Sequence, residues 1–439
     1  MTNRVPEMVL AIDFSLDRLD VCLRGDERQW RWAHQAYPNN WPGFQQLKQD
    51  LLSELNQLGP VRLTAVGEST GPYWWHAFYQ FGHDEALQPF SPQLALLNPA
   101  RVKGYRKALS EQDKADPDDA RLIDQYYRAV GVDHPYQFPD RYLRLRTFTR
   151  AYARVTHTLA SEKAYLLSVL YLWSSDYQRH EEKPFSNLFG TTSLYVLDEF
   201  ADIQAIAAIP LAALTTLLAQ RSGHTFSDPQ ANASKLLRVA EHSYPIPAHL
   251  ADALHQVIQH TLAHIHFLSD NQKAYRQLIE QELATLPEAK RALDFKGLGP
   301  ILVAGCLSEI QDTTRFLTGT KFDRRLKQRR PRVYHDGQAA VAKLAGLWWP
   351  RHDSGHVQGL QPHLARERNP YLRYWLVQAA HTLQRYQPDY HRFYWKKYRE
   401  ALSHHHMRAI VLTARKAVRL VFALLHKGRQ ACLEEGLLT

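Results

Sequence analysis

Two groups of residues in this sequence carry side chains suited to reactions at phosphate. Ser354 lies in a polar, glycine-containing turn, and Arg366, Arg368 and Arg373 follow it around the start of a basic helix. A hydroxyl surrounded by guanidinium groups suits attack on a phosphodiester, because arginine binds phosphate oxygens and offsets developing negative charge. A serine in an Asp-Ser-Gly turn is more often only a turn residue, so this assignment depends on the rest of the chain.

Four carboxylates form the second group. Asp13 and Glu68 each end an apolar stretch, and Asp116 and Asp119 lie three residues apart at the start of a helix predicted over 116–130. Residues three apart share a helix face, so these two acids could complete a metal site with the first two. Four carboxylates suit two-metal phosphoryl transfer with Mg²⁺ (or Mn²⁺). Each acid alone also fits a solvated strand end or an ordinary helix start.

The elements that would position these acids follow the order of a ribonuclease-H-like sheet. Apolar and alternating stretches predict strands over 8–14, 19–23 and 28–34, a helix over 41–57 and a strand over 61–67. In that arrangement Asp13 and Glu68 lie on adjacent strands with their carboxylates close together. Close carboxylates repel each other unless a cation lies between them, which again predicts a metal site.

After about residue 150 the predicted structure is almost entirely helical. Residues 248–286 contain no proline or glycine, which predicts one long helix. Its apolar stripe approximates the heptad repeat of a coiled coil at Leu250, Leu254, Val257, Thr261, Leu268, Tyr275 and Ile279. We therefore predict an α/β domain over 1–150, a helical, coiled-coil region over 151–290 and a mostly helical domain over 291–439.

Positive charge is concentrated towards the C-terminal end. The net charge is +10, and from Arg291 onward 26 Lys+Arg against 11 Asp+Glu give +15, which leaves about −5 for the rest. Such an asymmetry indicates a polyanion-binding region, and nucleic acid fits better than a membrane surface. The predicted nucleic-acid-binding residues are Arg144, Arg150, Arg324, Arg325, Arg329, Arg330, Arg366, Arg368 and Arg373.

Cysteine usage and hydropathy argue against several classes of protein. Three cysteines without a CxxC pair exclude a zinc ribbon and a disulfide framework, and they fit a reducing cytoplasm. We expect no signal peptide, and no apolar run approaches the roughly 20 residues of a membrane span. A phosphate-binding P-loop motif is also missing, so the sequence implies no use of ATP.

Taken together, the sequence resembles the IS110 family of insertion-sequence transposases, the DEDD recombinases with an accessory serine. The motifs that carry the resemblance occur in the family's order at residues 12–13, 68–73, 98–99, 114–120, 297–300, 345–347, 354–355 and 369–373. The resemblance implies that Asp13, Glu68, Asp116 and Asp119 are the metal-binding carboxylates of a RuvC-like domain. It also implies that Ser354 is the nucleophile of a C-terminal transposase domain. Ala115 departs from the threonine that is usual in the family.

The resemblance further implies partners for the protein. These are donor and target DNA, a bridge (guide) RNA that pairs with both, and further copies of the chain. The expected assembly is a tetramer, a dimer of dimers, in which the serine of one protomer completes the carboxylate site of another. The expected location is the bacterial cytoplasm, in association with the nucleoid.

Three functions follow as alternatives. The first is a recombinase that cleaves and rejoins DNA through a covalent phosphoserine. The second is a RuvC-like, Mg²⁺-dependent nuclease or resolvase that uses activated water, with Ser354 only structural. The third is a catalytically silent scaffold that binds nucleic acid.

Overall fold

A computed structural model describes residues 5–26, 29–109, 116–132, 135–179, 183–223, 226–323, 326–349, 353–354, 357–358, 364–365 and 368–438; for 116–118, 353–354 and 357–358 it describes the backbone only. The chain divides into two compact units. The first comprises Met1–Asp140 and Thr318–Arg332, and the second Arg141–Leu317 and Val333–Thr439. The predicted division into three domains stays a prediction. None of the helices in the described ranges is long and apolar enough to cross a membrane.

The first unit contains a five-stranded mixed sheet. Its strands are β1 (Glu7–Phe14), β2 (Arg18–Arg24), β3 (Trp30–Pro38), β4 (Arg62–Glu68) and β5 (Gln93–Leu97). They lie in the order β3-β2-β1-β4-β5, with antiparallel pairing among the first three strands of the chain and parallel pairing of β1 with β4 and of β4 with β5. The four predicted strands are confirmed, and the third begins and ends later than predicted.

Helices cover both faces of this sheet. They are α1 (Trp41–Leu58), α2 (Trp75–His83), α3 (Pro99–Ala108) and α4 (Asp116–Val130). Alternate residues of β1 enter the two cores, as the period of two of a strand requires. Leu10 and Ile12 belong to the core that contains residues of α1 and α2, whereas Val9 and Ala11 pack with residues of α4. The helices predicted over 41–57 and 116–130 are confirmed.

A short hairpin from much later in the chain groups with this first unit. It consists of β6 (Thr320–Asp323) and β7 (Gln328–Pro331), which pair antiparallel. In the sequence this segment lies inside the region predicted as a mostly helical domain, so its grouping with the N-terminal sheet is not visible from chain order.

The second unit is mostly helical. Its helices are α5 (Asp140–Trp173), α6 (Thr191–Glu199), α7 (Ile203–Ala207), α8 (Leu211–Arg221), α9 (Pro229–His242), α10 (Ala248–Ala284), α11 (Lys290–Leu293), α12 (Pro300–Ile310), α13 (Tyr334–Leu344), α14 (Pro370–Tyr386), α15 (Pro388–Arg399) and α16 (His405–Glu434). The long helices α5 and α10 contribute to two cores. One core contains α6 to α9, and the other contains α12, α14 and α16.

The long helix α10 is confirmed, but its buried stripe differs from the predicted heptad. Leu250 and Val257 are 43% and 38% exposed. The buried positions in its first half are Ala251, Leu254, Ile258, Thr261, Leu262, Ile265 and Leu268. Apart from Leu262, these positions are spaced alternately by three and four residues, so the stripe keeps a heptad spacing and shares only Leu254, Thr261 and Leu268 with the predicted positions. In this half of the helix the stripe packs on helices of its own chain.

Candidate active site

Two of the predicted acids lie side by side at the carboxyl ends of neighbouring strands. β1 and β4 run parallel with Ile12 opposite Gly67, so the next residues are Asp13 and Glu68. Gly67 has a packing reason to be glycine, because a Cβ there would lie 2.3 Å from the ring of Phe14. Asp13 follows Val9 and Ala11 on the face that α4 covers. The predicted placement of these two acids on adjacent strands is confirmed.

A third predicted acid enters this cluster from α4. Asp119 lies in the first turns of the helix, and its carboxylate forms an ion pair and hydrogen bond with the Arg106 guanidinium at the end of α3. The side chains of Asp119 and Arg106 are 20% and 18% exposed, so solvent screens their interaction only in part. The arginine thus brings a positive charge to the acid cluster that the sequence did not predict.

The three acids act on one another electrostatically. Burial, and next the charges of Asp13 and Asp119, raise the pKa of Glu68 to about 7, although Arg106 and a hydrogen bond from Thr70 partly oppose the shift. Thr70 Oγ1 lies 3.5 Å from the Glu68 carboxylate. Glu68 therefore holds its proton at higher pH than an ordinary glutamate does. Excess negative charge in a half-buried site fits a divalent cation.

The fourth predicted acid is the first residue of α4. The structure describes the backbone of Asp116 but not its side chain, so the complete quartet remains a prediction. Among the described side chains, no group of three or more His, Cys, Asp or Glu residues is arranged to hold a metal ion. The pairing of Asp119 with Arg106 is consistent with this finding, because that carboxylate is engaged by a guanidinium.

One further carboxylate beside the cluster was not predicted. Asp20 on β2 lies opposite Asp13 and is 2% exposed. It accepts a hydrogen bond from Arg18 Nε at 2.8 Å and lies 2.9 Å from His34 Nε2. A charged residue between the buried residues Leu19 and Val21 was the signal in the sequence, since an acid inside an apolar strand needs a partner.

Ser354 lies in a different unit of the protein. It belongs to β8 (Asp353–Ser354), which pairs with β9 (Val357–Gln358), and Ser354 is opposite Val357. The predicted turn is thus the start of a small hairpin. The side chain of Ser354 and the residues at the tip of this hairpin lie outside the described part of the chain.

Two family comparisons identify the protein. Residues 10–173, which contain all four acids, match a DEDD transposase model of the IS110 type, described as "Transposase". Residues 333–395, which contain Ser354, match the model described as "Transposase IS116/IS110/IS902 family". The chain belongs to the IS110 family of transposases. It is therefore an enzyme of transposition that acts on DNA. A comparison with curated proteins finds no match.

In this transposase, Arg373 contacts the residues on both sides of the segment 349–364, which carries Ser354. Ala365 N donates a hydrogen bond to Trp348 O at 3.1 Å, which brings together the two ends of the segment 349–364. The Arg373 guanidinium on α14 donates to Ala345 O at 3.0 Å, to Ala365 O at 3.2 Å and to Gly346 O. Because these carbonyls flank the segment on both sides, Arg373 links its two ends.

A buried ion-pair network joins three helices beside this segment. Glu309 on α12 has a fully buried side chain and accepts two hydrogen bonds from Arg150 on α5, at 2.7 and 2.9 Å. Asn369, which caps α14, donates to the same carboxylate at 2.7 Å. Burial alone would raise the pKa of Glu309, but Arg150, Arg146 and Asn369 together lower it.

The predicted nucleic-acid-binding arginines occupy different environments. Arg150 and Arg373 donate to protein groups, so their assignment to nucleic acid stays a prediction that these contacts do not favour. Arg144 has a side chain that is 76% exposed, with its Nε 3.4 Å from the Glu282 carboxylate. Arg330 pairs with Asp323 at 2.9 Å within the β6–β7 hairpin. Arg329 and Arg368 are exposed, and Arg324, Arg325 and Arg366 lie outside the described residues.

Proposed function

We propose that this transposase cleaves and rejoins DNA through a covalent phosphoserine at Ser354, with Mg²⁺ or Mn²⁺ held by Asp13, Glu68, Asp116 and Asp119. The observation that carries the proposal is the pKa of Glu68, which burial and two neighbouring carboxylates raise to about 7. A partly buried cluster of acids with excess negative charge is a suitable ligand set for a hard divalent cation. The strand order β3-β2-β1-β4-β5 supports a RuvC-like fold for this unit.

In this proposal the acids would hold the cation, and Arg106 would bind the DNA phosphate. A bound divalent cation supplies electrostatic stabilisation of charge that develops on the phosphate oxygens. Asp13 and Glu68 present their carboxylates from adjacent strands, and Asp119 adds a third from α4. In the protein without DNA, the Arg106 guanidinium pairs with the Asp119 carboxylate. When DNA binds, this guanidinium would bind a phosphate oxygen instead, since it forms the same kind of hydrogen bonds with phosphate as with carboxylate.

In the proposed step, the Ser354 hydroxyl oxygen attacks the phosphorus of a DNA phosphodiester. A serine–phosphate ester forms, and the bond from phosphorus to the 3′ oxygen breaks. The serine hydroxyl gives up its proton and the departing 3′ oxygen takes one up, which leaves a free 3′-hydroxyl. Attack by the 3′-hydroxyl of another strand reverses the step and joins the strands. The ester retains the energy of the cleaved bond, so no ATP is required.

The proposed partners are donor and target DNA, a bridge RNA and further copies of the chain. If an RNA selects the sites by base pairing, the protein needs mainly contacts to nucleic-acid backbones. Exposed arginines such as Arg144 and Arg329 suit such contacts. We place the protein in the bacterial cytoplasm with the nucleoid. RNase treatment should abolish recombination by purified protein, and an RNA that pairs with neither DNA would contradict the guiding role.

A suicide DNA substrate tests the chemistry. After reaction in Mg²⁺, the cleaved strand should remain attached to the protein on a denaturing gel. No adduct should form when the reaction contains EDTA instead. Ser354→Ala should abolish the adduct, while Ser354→Cys should leave DNA binding intact. Cleavage without any adduct would instead support the nuclease or resolvase that uses activated water. An adduct that persists in Ser354→Ala would reject the serine assignment.

A further inference from the structure

A pocket with a volume of about 460 Å³ opens at the same edge of the sheet as the acids. Its walls come from the loops that follow β1, β3 and β4 and from the first turns of α1 and α2. The residues that line it include Leu16, Asn39, Asn40, Trp41, Tyr73 and Gln80. The volume lies within the range of about 300–1,000 Å³ that is usual for ligand sites.

The chemistry of this lining suits a flat, uncharged molecule with hydrogen-bonding groups. The lining side chains that the structure describes include no Lys, Arg, Asp or Glu, and they combine aromatic rings with amides. Trp41 and Tyr73 are 57% and 39% exposed, although such rings normally bury most of their surface. The Trp41 ring stacks on Phe44 with centroids 6.0 Å apart and an angle of 17° between the planes. A ring of this kind, supported from one side, can stack against a base.

Hydrogen bonds within the protein hold the walls of the pocket together. The Asn39 side-chain amide donates to Ser15 O at 2.7 Å and to Tyr73 O at 3.1 Å, which joins the loops after β1 and β4. The Asn39 backbone N–H also donates to Asp17 O at 2.9 Å. A pocket built in advance binds its ligand at a lower entropic cost than one that must order on binding.

The pocket and the acids lie on the same strand ends but on opposite faces of the sheet. Leu16 is three residues beyond Asp13, and Tyr73 is five residues beyond Glu68. Phe14 points to the face of α1 and α2, where it contacts Phe78 with ring centroids 5.3 Å apart. Asp13 points to the face of α4. A DNA strand that crosses this edge of the sheet would thus pass both the acids and the mouth of the pocket.

We propose that this pocket binds one unpaired nucleobase of the DNA strand whose phosphate lies at the acids, by stacking against Trp41 and Tyr73. The proposal rests on the proposed function, because it assumes that DNA reaches the acid cluster. Removing a base from its stack has an energetic cost, and stacking on aromatic rings compensates for it without requiring a particular sequence. The amides of Asn40 and Gln80 line the same pocket. Because Asn40 Oδ1 caps α1 by accepting from Gly43 N–H at 2.9 Å, Asn40 offers its Nδ2 as a donor to the base edge, whereas the Gln80 amide can donate or accept.

Photo-crosslinking of the full-length protein tests the proposal. Single-stranded DNA that carries 5-iododeoxyuridine is bound in EDTA, irradiated, digested and mapped by mass spectrometry. We expect crosslinks on Trp41 or Tyr73 and much weaker ones with a fully paired duplex of the same sequence. Trp41→Ala with Tyr73→Ala should weaken single-strand binding about 5- to 100-fold, whereas Trp41→Phe should retain most of it. Tyr244→Ala, at a tyrosine that is 78% exposed in the other unit, is the matched control and should bind normally.

The outcomes separate this proposal from the proposed function. Crosslinks elsewhere, together with unchanged affinity in the double variant, would overturn the base pocket while adduct formation at Ser354 still stood. Crosslinks only with the ribonucleotide form of the probe would overturn the assignment to DNA. A change in molar mass of the double variant on light scattering, with normal DNA binding, would show that a second copy of the chain covers the pocket and would also overturn it. Glu68→Gln should abolish cleavage and leave the crosslinks in place.

Discussion

At the scale of single residues, Glu68 combines a strand-end position with an unusual electrostatic environment. Burial and the charges of Asp13 and Asp119 raise its pKa from 4.5 to about 7. The folded protein therefore binds this proton more tightly than the unfolded chain does. Repulsion between carboxylates is common at sites that must bind a cation or transfer protons, because the bound cation or proton removes that repulsion.

The pKa of Glu68 predicts how the stability of the metal-free protein depends on pH. Since the folded-state pKa is raised, this group lowers the free energy of unfolding as pH rises from about 4.5 to about 7. Glu68→Gln removes the effect. In EDTA the variant should melt at a higher temperature than the wild type at about pH 8 and at nearly the same temperature at about pH 5.

Added Mg²⁺ completes this experiment. It should raise the melting temperature of the wild type at about pH 8, because binding to the folded state stabilises it, and it should raise that of Glu68→Gln much less. Glu85→Gln, at an exposed acid in the same unit, is the control and should behave like the wild type. Equal melting temperatures of the wild type and Glu68→Gln at both pH values would contradict the raised pKa.

Arg150 and Arg144 lie on the same helix, α5. We predict a structural role for Arg150 and a role in nucleic-acid binding for Arg144. Arg150→Ala leaves the fully buried Glu309 carboxylate without its two-bond partner, which should destabilise the protein by about 3–5 kcal/mol in urea unfolding. Arg144→Ala, whose side chain is 76% exposed, should change stability by less than about 0.5 kcal/mol. Its effect should instead be on the affinity for nucleic acid. An unchanged unfolding midpoint for Arg150→Ala would refute the structural role.

At the scale of elements, the segment with Ser354 depends on the start of α14. Asn369 caps this helix and also binds Glu309, and Arg373, one turn later, holds carbonyls on both sides of the segment. Gly346 has a φ of +64° and space for no side chain, since a Cβ would lie 2.4 Å from the Arg373 guanidinium. The start of α14 therefore holds the backbone on both sides of the serine segment.

Replacement of Arg373 tests this positioning. Arg373→Lys keeps the positive charge, but the lysine ammonium group lacks the planar guanidinium that contacts three carbonyls at once. The segment with Ser354 should therefore be held less precisely. We expect adduct formation on the suicide substrate to slow by about 10- to 100-fold with little change in DNA affinity. Arg385→Lys, at an exposed arginine in the last turn of the same helix, should react like the wild type. A matching loss of DNA affinity in Arg373→Lys would point to direct phosphate binding instead.

At the scale of the whole molecule, the acids and Ser354 belong to different compact units of the chain. The proposed chemistry requires them to meet, either within one protomer or between protomers. Symmetric oligomers commonly build composite sites of the second kind. The exposed positions of α10, Leu250 and Val257, remain available for contacts with another copy.

Mixed oligomers decide between the two arrangements. Ser354→Ala and Glu68→Gln subunits, carrying different affinity tags and different lengths, are coexpressed and purified over both tags. If the serine acts in trans, the mixed particle regains adduct formation, and the adduct migrates with the Glu68→Gln subunit, which supplies the hydroxyl. Particles of Ser354→Ala with the double variant should stay inactive. No adduct in the first mixture would indicate that each protomer uses its own serine.

The sequence by itself determined four of the five strands of the sheet, the helices α1, α4 and α10, and the place of the acids at strand ends and a helix start. These features follow from periodicity and from chemistry within a few residues, which local pattern records. Only the tertiary structure decided the pKa of Glu68, the pairing of Arg106 with Asp119 and the engagement of Arg150 and Arg373 by protein groups. It also placed the β6–β7 hairpin with the N-terminal sheet. Burial and charge pairing depend on residues far apart in the chain, so no local pattern encodes them.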